Sequence, residues 1–298
     1  MTGKVERLQP TSKPRDWGFS NEELAALETV YRPGLLEGKV FIVSGGGTGI
    51  GRGITYLLAR LGADVMICGR RQEMLDETAA GIRQHVGREI ATQSMTIREP
   101  EHVQRLIDTT LERFGRLDTI VNNGGGQFPQ NAIDFSVKGW NAVIDTNLSG
   151  AWYMMQTAAR AWRDRGQPGN IVNIVATIWR GMPQVAHTTA ARAGVIYLSK
   201  TLATEWAPLG VRVNCVAPGA IATSGLNVYP EGAVDHFCHT NPMKRLGDVQ
   251  DIAEAVVYLS APSGKFVTGE TLVVDGGHTC WGDSEWPGGK PEYFRSSQ

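Results

Sequence analysis

From residue 39 to residue 274 the chain repeats one alternation. A short run of uncharged, mostly β-branched or aliphatic residues is followed by a longer stretch in which apolar residues return every three to four positions. Runs of the first kind have the length of strands covered on both faces, and the second spacing lays apolar side chains along one face of a helix. The strand-like runs fall at 40–43, 64–68, 90–95, 117–122, 170–175, 212–216 and 271–274. Between them the periodicity predicts helices over about 48–61, 72–85, 101–114, 138–165, 188–208 and 249–260. Regular alternation with short connections predicts a parallel sheet with helices on both faces, because right-handed crossovers leave no other compact arrangement. The expected architecture is a single doubly wound α/β domain over 37–277, with an N-terminal arm at 1–36 and a C-terminal tail at 278–298. In the arm, Ser20 and Glu23 have capping-box spacing and predict a helix over about 21–31. Residues 220–247 lose the periodicity and read as a segment lying over the site. The tail carries Trp281, Trp286, Tyr293 and Phe294, aromatics expected to pack on the body or on a sister subunit.

Composition narrows the function classes. With 298 residues, a net charge of −1 and no basic run, nothing favours nucleic acid or an anionic membrane as the main partner. The longest apolar runs are strand-length and the first residues are polar, so the expectation is a soluble, non-secreted, cytoplasmic protein; Ser296-Ser297-Gln298 is not an S-K-L address. Cys68, Cys215, Cys238 and Cys280 form no C-x-x-C pair, and Cys68 and Cys215 sit in strand-like runs as small buried residues of a reducing compartment. The stretch His236-Phe237-Cys238-His239 lacks a second ligand pair, so no metal is expected.

Candidate chemistry starts at V-F-I-V-S-G-G-G-T-G-I-G-R-G, residues 40–53. A buried strand running into a glycine-rich turn and then a helix is the setting in which backbone and helix N-terminus can accept a pyrophosphate. The candidate contacts are Ser44, Gly45, Gly47, Thr48, Gly49, Ile50 and Gly51. After the second strand stand Arg70 and Arg71, where a carboxylate would hydrogen-bond the adenosine ribose of NAD. Two guanidinium groups suit a ribose 2′-phosphate instead, so the cofactor expected is NADP(H).

The spacing Ser44-Gly45-x-x-x-Gly49-x-Gly51 resembles the T-G-x-x-x-G-x-G turn of the short-chain dehydrogenase/reductase family, whose Rossmann-type fold agrees with the pattern above. Further stretches carry the same resemblance. Asn122-Asn123-Gly124-Gly125 is similar to the family's N-N-A-G turn, which implies Asn123 and Gly124 as cofactor contacts. Asn147 matches the helix asparagine that holds an active-site backbone segment and a water. N-C-V-A-P-G-A-I-A-T at 214–223 matches the loop that receives the nicotinamide carboxamide, with Pro218, Gly219, Ile221 and Thr223 as contacts. Val274-Asp275-Gly276-Gly277 resembles the last strand and turn, found at a subunit interface; a homo-oligomer, dimer or tetramer, is implied. Thr96 stands where most members place an adenine-contacting Asp.

The catalytic set departs from the family. Aligning on Ala193-Gly194-Val195 puts Thr188 at the position of the family's tyrosine and Arg192 at that of its lysine, with Val175-Ala176-Thr177 where the serine belongs. A threonine hydroxyl does not ionise near neutral pH, so it cannot serve as the acid or base of alcohol chemistry. It can donate a hydrogen bond to an oxygen that gains negative charge, such as the enolate formed when hydride adds to the β-carbon of an unsaturated thioester. The strings Asn122 to Phe128, Lys138-Gly139-Trp140 and Val185-Ala186-His187 resemble the peroxisomal trans-2-enoyl-CoA reductase branch. That resemblance implies an NADPH-dependent enoyl-CoA reductase acting on an acyl-CoA thioester, with Thr188, Arg192, Asn147 and His187 as catalytic candidates and Arg192 also reaching the cofactor. His187, beside Thr188, reads as a wall residue or a proton donor, and Tyr153 and Tyr197 as replacement acids or core residues. Two alternatives stay open: an NADP-dependent dehydrogenase of a terpenoid or other branched alcohol, citronellol-like, and a non-catalytic nucleotide-binding protein.

Overall fold

The computed structural model describes residues 17–229, 234 and 237–280. Among them, strands β1 (Val40–Ser44), β2 (Asp64–Gly69), β3 (Ala91–Ser94), β4 (Thr119–Asn122), β5 (Gly169–Ile174), β6 (Val211–Pro218) and β7 (Thr271–Val274) form one parallel sheet in the order β3-β2-β1-β4-β5-β6-β7. The chain starts at β1, winds out to β3, and then returns past β1 to β4. That reversal opens a crevice at the carboxyl ends of β1 and β4, the place where doubly wound sheets take ligands. Register fixes the level of the crevice: Ser44 pairs with Cys68 on one side and with Asn122 on the other. The turns after all three strands therefore leave the sheet side by side.

Alternate residues of the strands feed two separate cores, as period-two side-chain direction requires. Phe41, Val43, Val65 and Ile67 join Ile54, Leu57 and Leu58 of α2 (Gly49–Arg60), Leu75 and Ile82 of α3 (Gln72–Val86), and Ile252 and Val256 of a helix at Val249–Ser260. Val40, Ile42, Met66 and Ile120 join Val103 and Leu106 of α4 (Pro100–Phe114) and Met154, Ala158 and Trp162 of a helix at Ala151–Asp164 on the other face. Cys68 and Cys215 are fully buried, and burial pushes their thiols up to about 12 and about 11.

The expected helix over 138–165 is three pieces: α5 (Val137–Ile144), a π turn at Asp145–Gly150, and α6 (Ala151–Asp164). Apolar spacing carries no record of this break, because it is made by hydrogen bonding around Asn147 rather than by packing. The next helix, α7 (Ala186–Glu205), starts two residues before Thr188 and passes into a 3-10 turn at Ala207–Leu209. The last helix, α8 (Val249–Ser260), has its N-terminus fixed by a capping box between Asp248 and Asp251.

Ahead of the sheet, α1 (Asn21–Ala26) has the expected Ser20–Glu23 capping box but ends well short of residue 31. The Arg60 guanidinium takes the carbonyls of Leu24 and Leu27, which satisfies the helix end there. Residues 27–36 then run against α2 and α8, with the Tyr31 hydroxyl donating to the Glu254 carbonyl at 3.0 Å. Between β6 and α8 the described residues form 3-10 turns at Ser224–Val228 and Cys238–Thr240. Trp281, Trp286, Tyr293, Phe294, the terminal Ser296-Ser297-Gln298 and His236 lie outside the described residues. Among the described residues no helix is long and apolar enough to cross a membrane.

Candidate active site

The turn after β1 is built so that only glycine fits. Gly45 has φ of +67°, and a Cβ on Gly51 would stand 2.2 Å from the Gly45 carbonyl oxygen. Thr48, the N-cap of α2, makes no side-chain capping bond. The first N–H groups of α2 thus face the crevice without a side-chain acceptor, which is what an anionic group there requires. Asn123, at the end of β4, braces the turn by donating from Nδ2 to the Ser44 carbonyl at 3.0 Å. Ser44 Oγ in turn accepts from the backbone N–H groups of Asn123 (3.1 Å) and Gly124 (2.9 Å). One strand over, Asn122 Nδ2 donates to Asn173 Oδ1 at 2.8 Å, tying β4 to β5.

A cleft opens beside this turn. Its lining includes Gly45, Gly47, Thr48, Arg70, Arg71, Thr96, Arg98 and Gly124, so that among the described residues it has three arginines and no carboxylate. Arg70 and Arg71 are exposed at the rim. Arg98, two residues beyond Thr96, carries no signal in the sequence because its partners Thr146 and Ala142 are remote along the chain. Such a cradle of glycines, a helix N-terminus and cations fits a dinucleotide pyrophosphate with a phosphorylated ribose.

Thr188 and Arg192 lie one turn apart on α7 and both are buried, at 2% and 9% exposure. Thr188 Oγ1 has no hydrogen-bond partner. Arg192 donates from Nη1 to the Ile174 carbonyl at 2.9 Å, and burial pushes its guanidinium down to about 10. It remains a cation at neutral pH. A Cβ on Gly125 would come within 2.4 Å of Arg192 Nη2, so the turn after β4 must have glycine there for the guanidinium to lie against it. Asn147, in the π turn, holds the next residue by a reciprocal pair: Nδ2 donates to the Gly126 carbonyl and Oδ1 accepts from the Gly126 N–H, both at 3.0 Å.

His187 is fully buried between Phe128 and Phe135, with ring centroids 4.7 and 4.5 Å away. Burial holds its imidazole below the usual range. Its Nδ1 lies 2.7 Å from the Thr188 backbone nitrogen, and its Nε2 has no hydrogen-bond partner. Pro218 ends β6, and the Gly219 N–H donates to the Val274 carbonyl at 2.9 Å. Ile221 bridges to Gly247, and Thr223 packs beside Gly49, bringing this segment over the glycine turn. Farther along it, Tyr229 shares a hydrogen bond with Gln127 and stacks edge-on against Phe237. No periodicity in the sequence signals that contact.

Neither tyrosine proposed from sequence joins Thr188. Tyr197 is 70% exposed, nine residues and half a helical rotation away on α7, where Lys200 sits over its ring. Tyr153 packs against the core under α4 and α6.

Residues 45–279 match the family described as Enoyl-(Acyl carrier protein) reductase. A probable 2,4-dienoyl-CoA reductase [(2E)-enoyl-CoA-producing] of Bacillus subtilis (strain 168) is 36% identical over 247 residues, 81% of this chain and 97% of that protein. The peroxisomal 2,4-dienoyl-CoA reductase [(3E)-enoyl-CoA-producing] of Danio rerio is 36% identical over 255 residues, covering 83% and 84% of the two chains. Among solved structures, a citronellol catabolism dehydrogenase (AtuB) of Pseudomonas aeruginosa PAO1 is 38% identical with a TM-score of 0.76, covering 85% of this chain and 100% of that one.

Proposed function

Because the chain belongs to the short-chain dehydrogenase/reductase family of nicotinamide-dependent oxidoreductases, we propose that it is an NADPH-dependent reductase of carbon–carbon double bonds conjugated to a thioester. Its substrate class is trans-2-enoyl-CoA esters, with 2,4-dienoyl-CoA esters as their vinylogous extension. What carries this reading is the pair on α7: a buried hydroxyl with no partner, unable to ionise near neutral pH, one turn from a buried guanidinium. The dienoyl-CoA reductase relatives support the thioester, and the exposed Arg70 and Arg71 at the cleft rim support the 2′-phosphate.

NADPH, when bound, would supply hydride to the β-carbon of a 2-enoyl ester, or to the δ-carbon of its 2,4-dienoyl vinylogue. Thr188 Oγ1 donates a hydrogen bond to the thioester oxygen as it becomes an enolate, and a proton from solvent water then reaches the α-carbon, leaving hydroxide to be neutralised by the buffer, so that one hydride and one proton saturate the bond. Arg192 holds the nicotinamide ribose and leaves a positive charge near that oxygen. Asn147 fixes the Gly126 turn against which Arg192 lies. His187, Phe128 and Phe135 form a ring cluster that walls the start of α7. The glycine turn at 44–51 with Asn123 and Gly124 would seat the pyrophosphate, and Pro218, Gly219, Ile221 and Thr223 would receive the carboxamide. We place the protein in the cytoplasm as a homo-oligomer.

A second reading, oxidation of a branched terpenoid alcohol with NADP(+), rests on the likeness to the citronellol catabolism dehydrogenase. One panel separates the two. Enoyl- and dienoyl-CoA esters with NADPH, and citronellol-type alcohols with NADP(+), are followed through the absorbance of the reduced nicotinamide. Turnover of thioesters alone is expected; turnover of alcohols alone overturns the proposal, and turnover of neither class leaves a nucleotide-binding protein without this activity.

A further inference from the structure

Arg98 joins two parts of the molecule that the mechanism above treats separately. It lines the nucleotide side of the cleft, beside Thr96 and Ile97. From there its guanidinium turns away from the rim, donating from Nε to Thr146 Oγ1 at 2.5 Å and from Nη2 to the Ala142 carbonyl at 2.7 Å. Thr146 Oγ1 itself donates to the Ala142 carbonyl at 2.9 Å, so the three groups close a triangle. The triangle sits at the junction of α5 with the π turn, where hydrogen-bond pairing shifts by one residue and the ladder is weakest. Both oxygens that Arg98 binds are neutral, and two prongs at fixed angles grip them as a single ammonium could not.

We propose that Arg98 is a positioning residue that clamps the π turn so that Asn147 stays locked on Gly126, making the active-site turn depend on the wall of the nucleotide cleft. The inference rests on the reading of that cleft as the cofactor site. Thr146, the clamped residue, directly precedes Asn147, whose two bonds to Gly126 are both 3.0 Å. The adjoining Gly125 is in turn so close to both Asn147 and Arg192 that a Cβ there would stand 3.0 Å from Asn147 Oδ1 and 2.4 Å from Arg192 Nη2. A slip of the π turn is therefore transmitted to Arg192. The neighbouring Ile97 leaves little slack, since a Cβ on Gly150, at the end of the π turn, would lie 2.7 Å from its Cγ1.

Two readouts test the clamp. The first needs no substrate: amide hydrogen exchange over residues 124–128 in nucleotide-free protein. Arg98→Ala and Thr146→Val each speed exchange at the Gly126 N–H by about tenfold or more, Arg98→Lys by less, and Arg98→Ala adds less than about twofold to Asn147→Ala, where the lock is already lost. The second is a kcat-against-KM split on an enoyl-CoA ester. Arg98→Ala lowers kcat about tenfold while KM for NADPH moves less than about threefold, and Arg98→Lys recovers part of kcat. If Arg98→Ala does not fold, Arg98→Lys and Thr146→Val carry both arms. Unchanged exchange at Gly126 overturns the proposal, as does an effect confined to KM for NADPH, which would make Arg98 a nucleotide contact only. Should the parent protein reduce no enoyl-CoA ester, the functional reading fails while the exchange arm still decides the clamp.

Discussion

Thr188 and Arg192 share one face of α7, and on the proposed mechanism they fail differently. Removing one preorganised donor to an oxyanion costs about 10²- to 10³-fold in turnover, so Thr188→Val should lower kcat by that order and leave NADPH affinity nearly unchanged. Arg192→Ala should reduce both, because it touches cofactor and oxygen alike. Steady-state kinetics with a nucleotide titration separates the two; a Thr188→Val enzyme with parental kcat would remove the hydroxyl from the mechanism. The neighbouring His187 makes a prediction about stability. An unfolded imidazole takes up its proton near pH 6.5, whereas folded His187 is held neutral to lower pH by burial. The unfolded chain then binds more protons through that window, so stability falls as pH drops below about 6.5. The melting temperature of the parent should therefore fall more between about pH 7.5 and about pH 5.5 than that of His187→Phe. Equal falls would mean that His187 titrates alike in both states.

Among the elements, the β2–α3 turn is the one to which the proposed function assigns the choice of cofactor. Arg70 and Arg71 are exposed, so each pairs with a phosphate in screened surroundings and contributes less than the ~1.5–3 kcal/mol of a sheltered charge-assisted bond. Replacing both by Ala should weaken NADPH binding about tenfold and leave NADH nearly untouched, as read by fluorescence titration. Equal losses for both nucleotides would refute the assignment. This turn was legible in the sequence because its signal is local: two arginines directly after a strand. The ends of α8 and β7 were legible for the same reason, each being bounded by residues within one or two positions of the apolar pattern. The π turn was not, because the bonds that hold it open run from Asn147 to Gly126, 21 residues away, and from Arg98 to Thr146, 48 residues away. The Tyr229–Gln127 contact spans 102 residues and is equally silent in the pattern.

At the scale of the whole molecule, the sheet order places every candidate group at one edge. Ser44 and Asn122 end adjacent strands in register, the glycine turn and the Gly124–Gly125 turn line the cleft beside them, and Arg192 of α7 lies against Gly125. The cleft is cationic and lined with glycine, while Thr188 Oγ1 and His187 Nε2, at the start of α7, are buried atoms without hydrogen-bond partners. On the proposed mechanism, Thr188 Oγ1 stabilises charge on a substrate oxygen without an ionisable acid beside it, as reduction of a conjugated double bond requires and carbonyl chemistry does not. The most direct test follows the hydride itself. A trans-2-enoyl-CoA ester is turned over with NADPH deuterated at the transferable position, and the product is analysed by mass spectrometry and NMR. The account predicts a saturated acyl-CoA carrying one deuterium on the carbon β to the thioester; deuterium on a carbinol carbon, or an unlabelled thioester returned unchanged beside active alcohol oxidation, would contradict it.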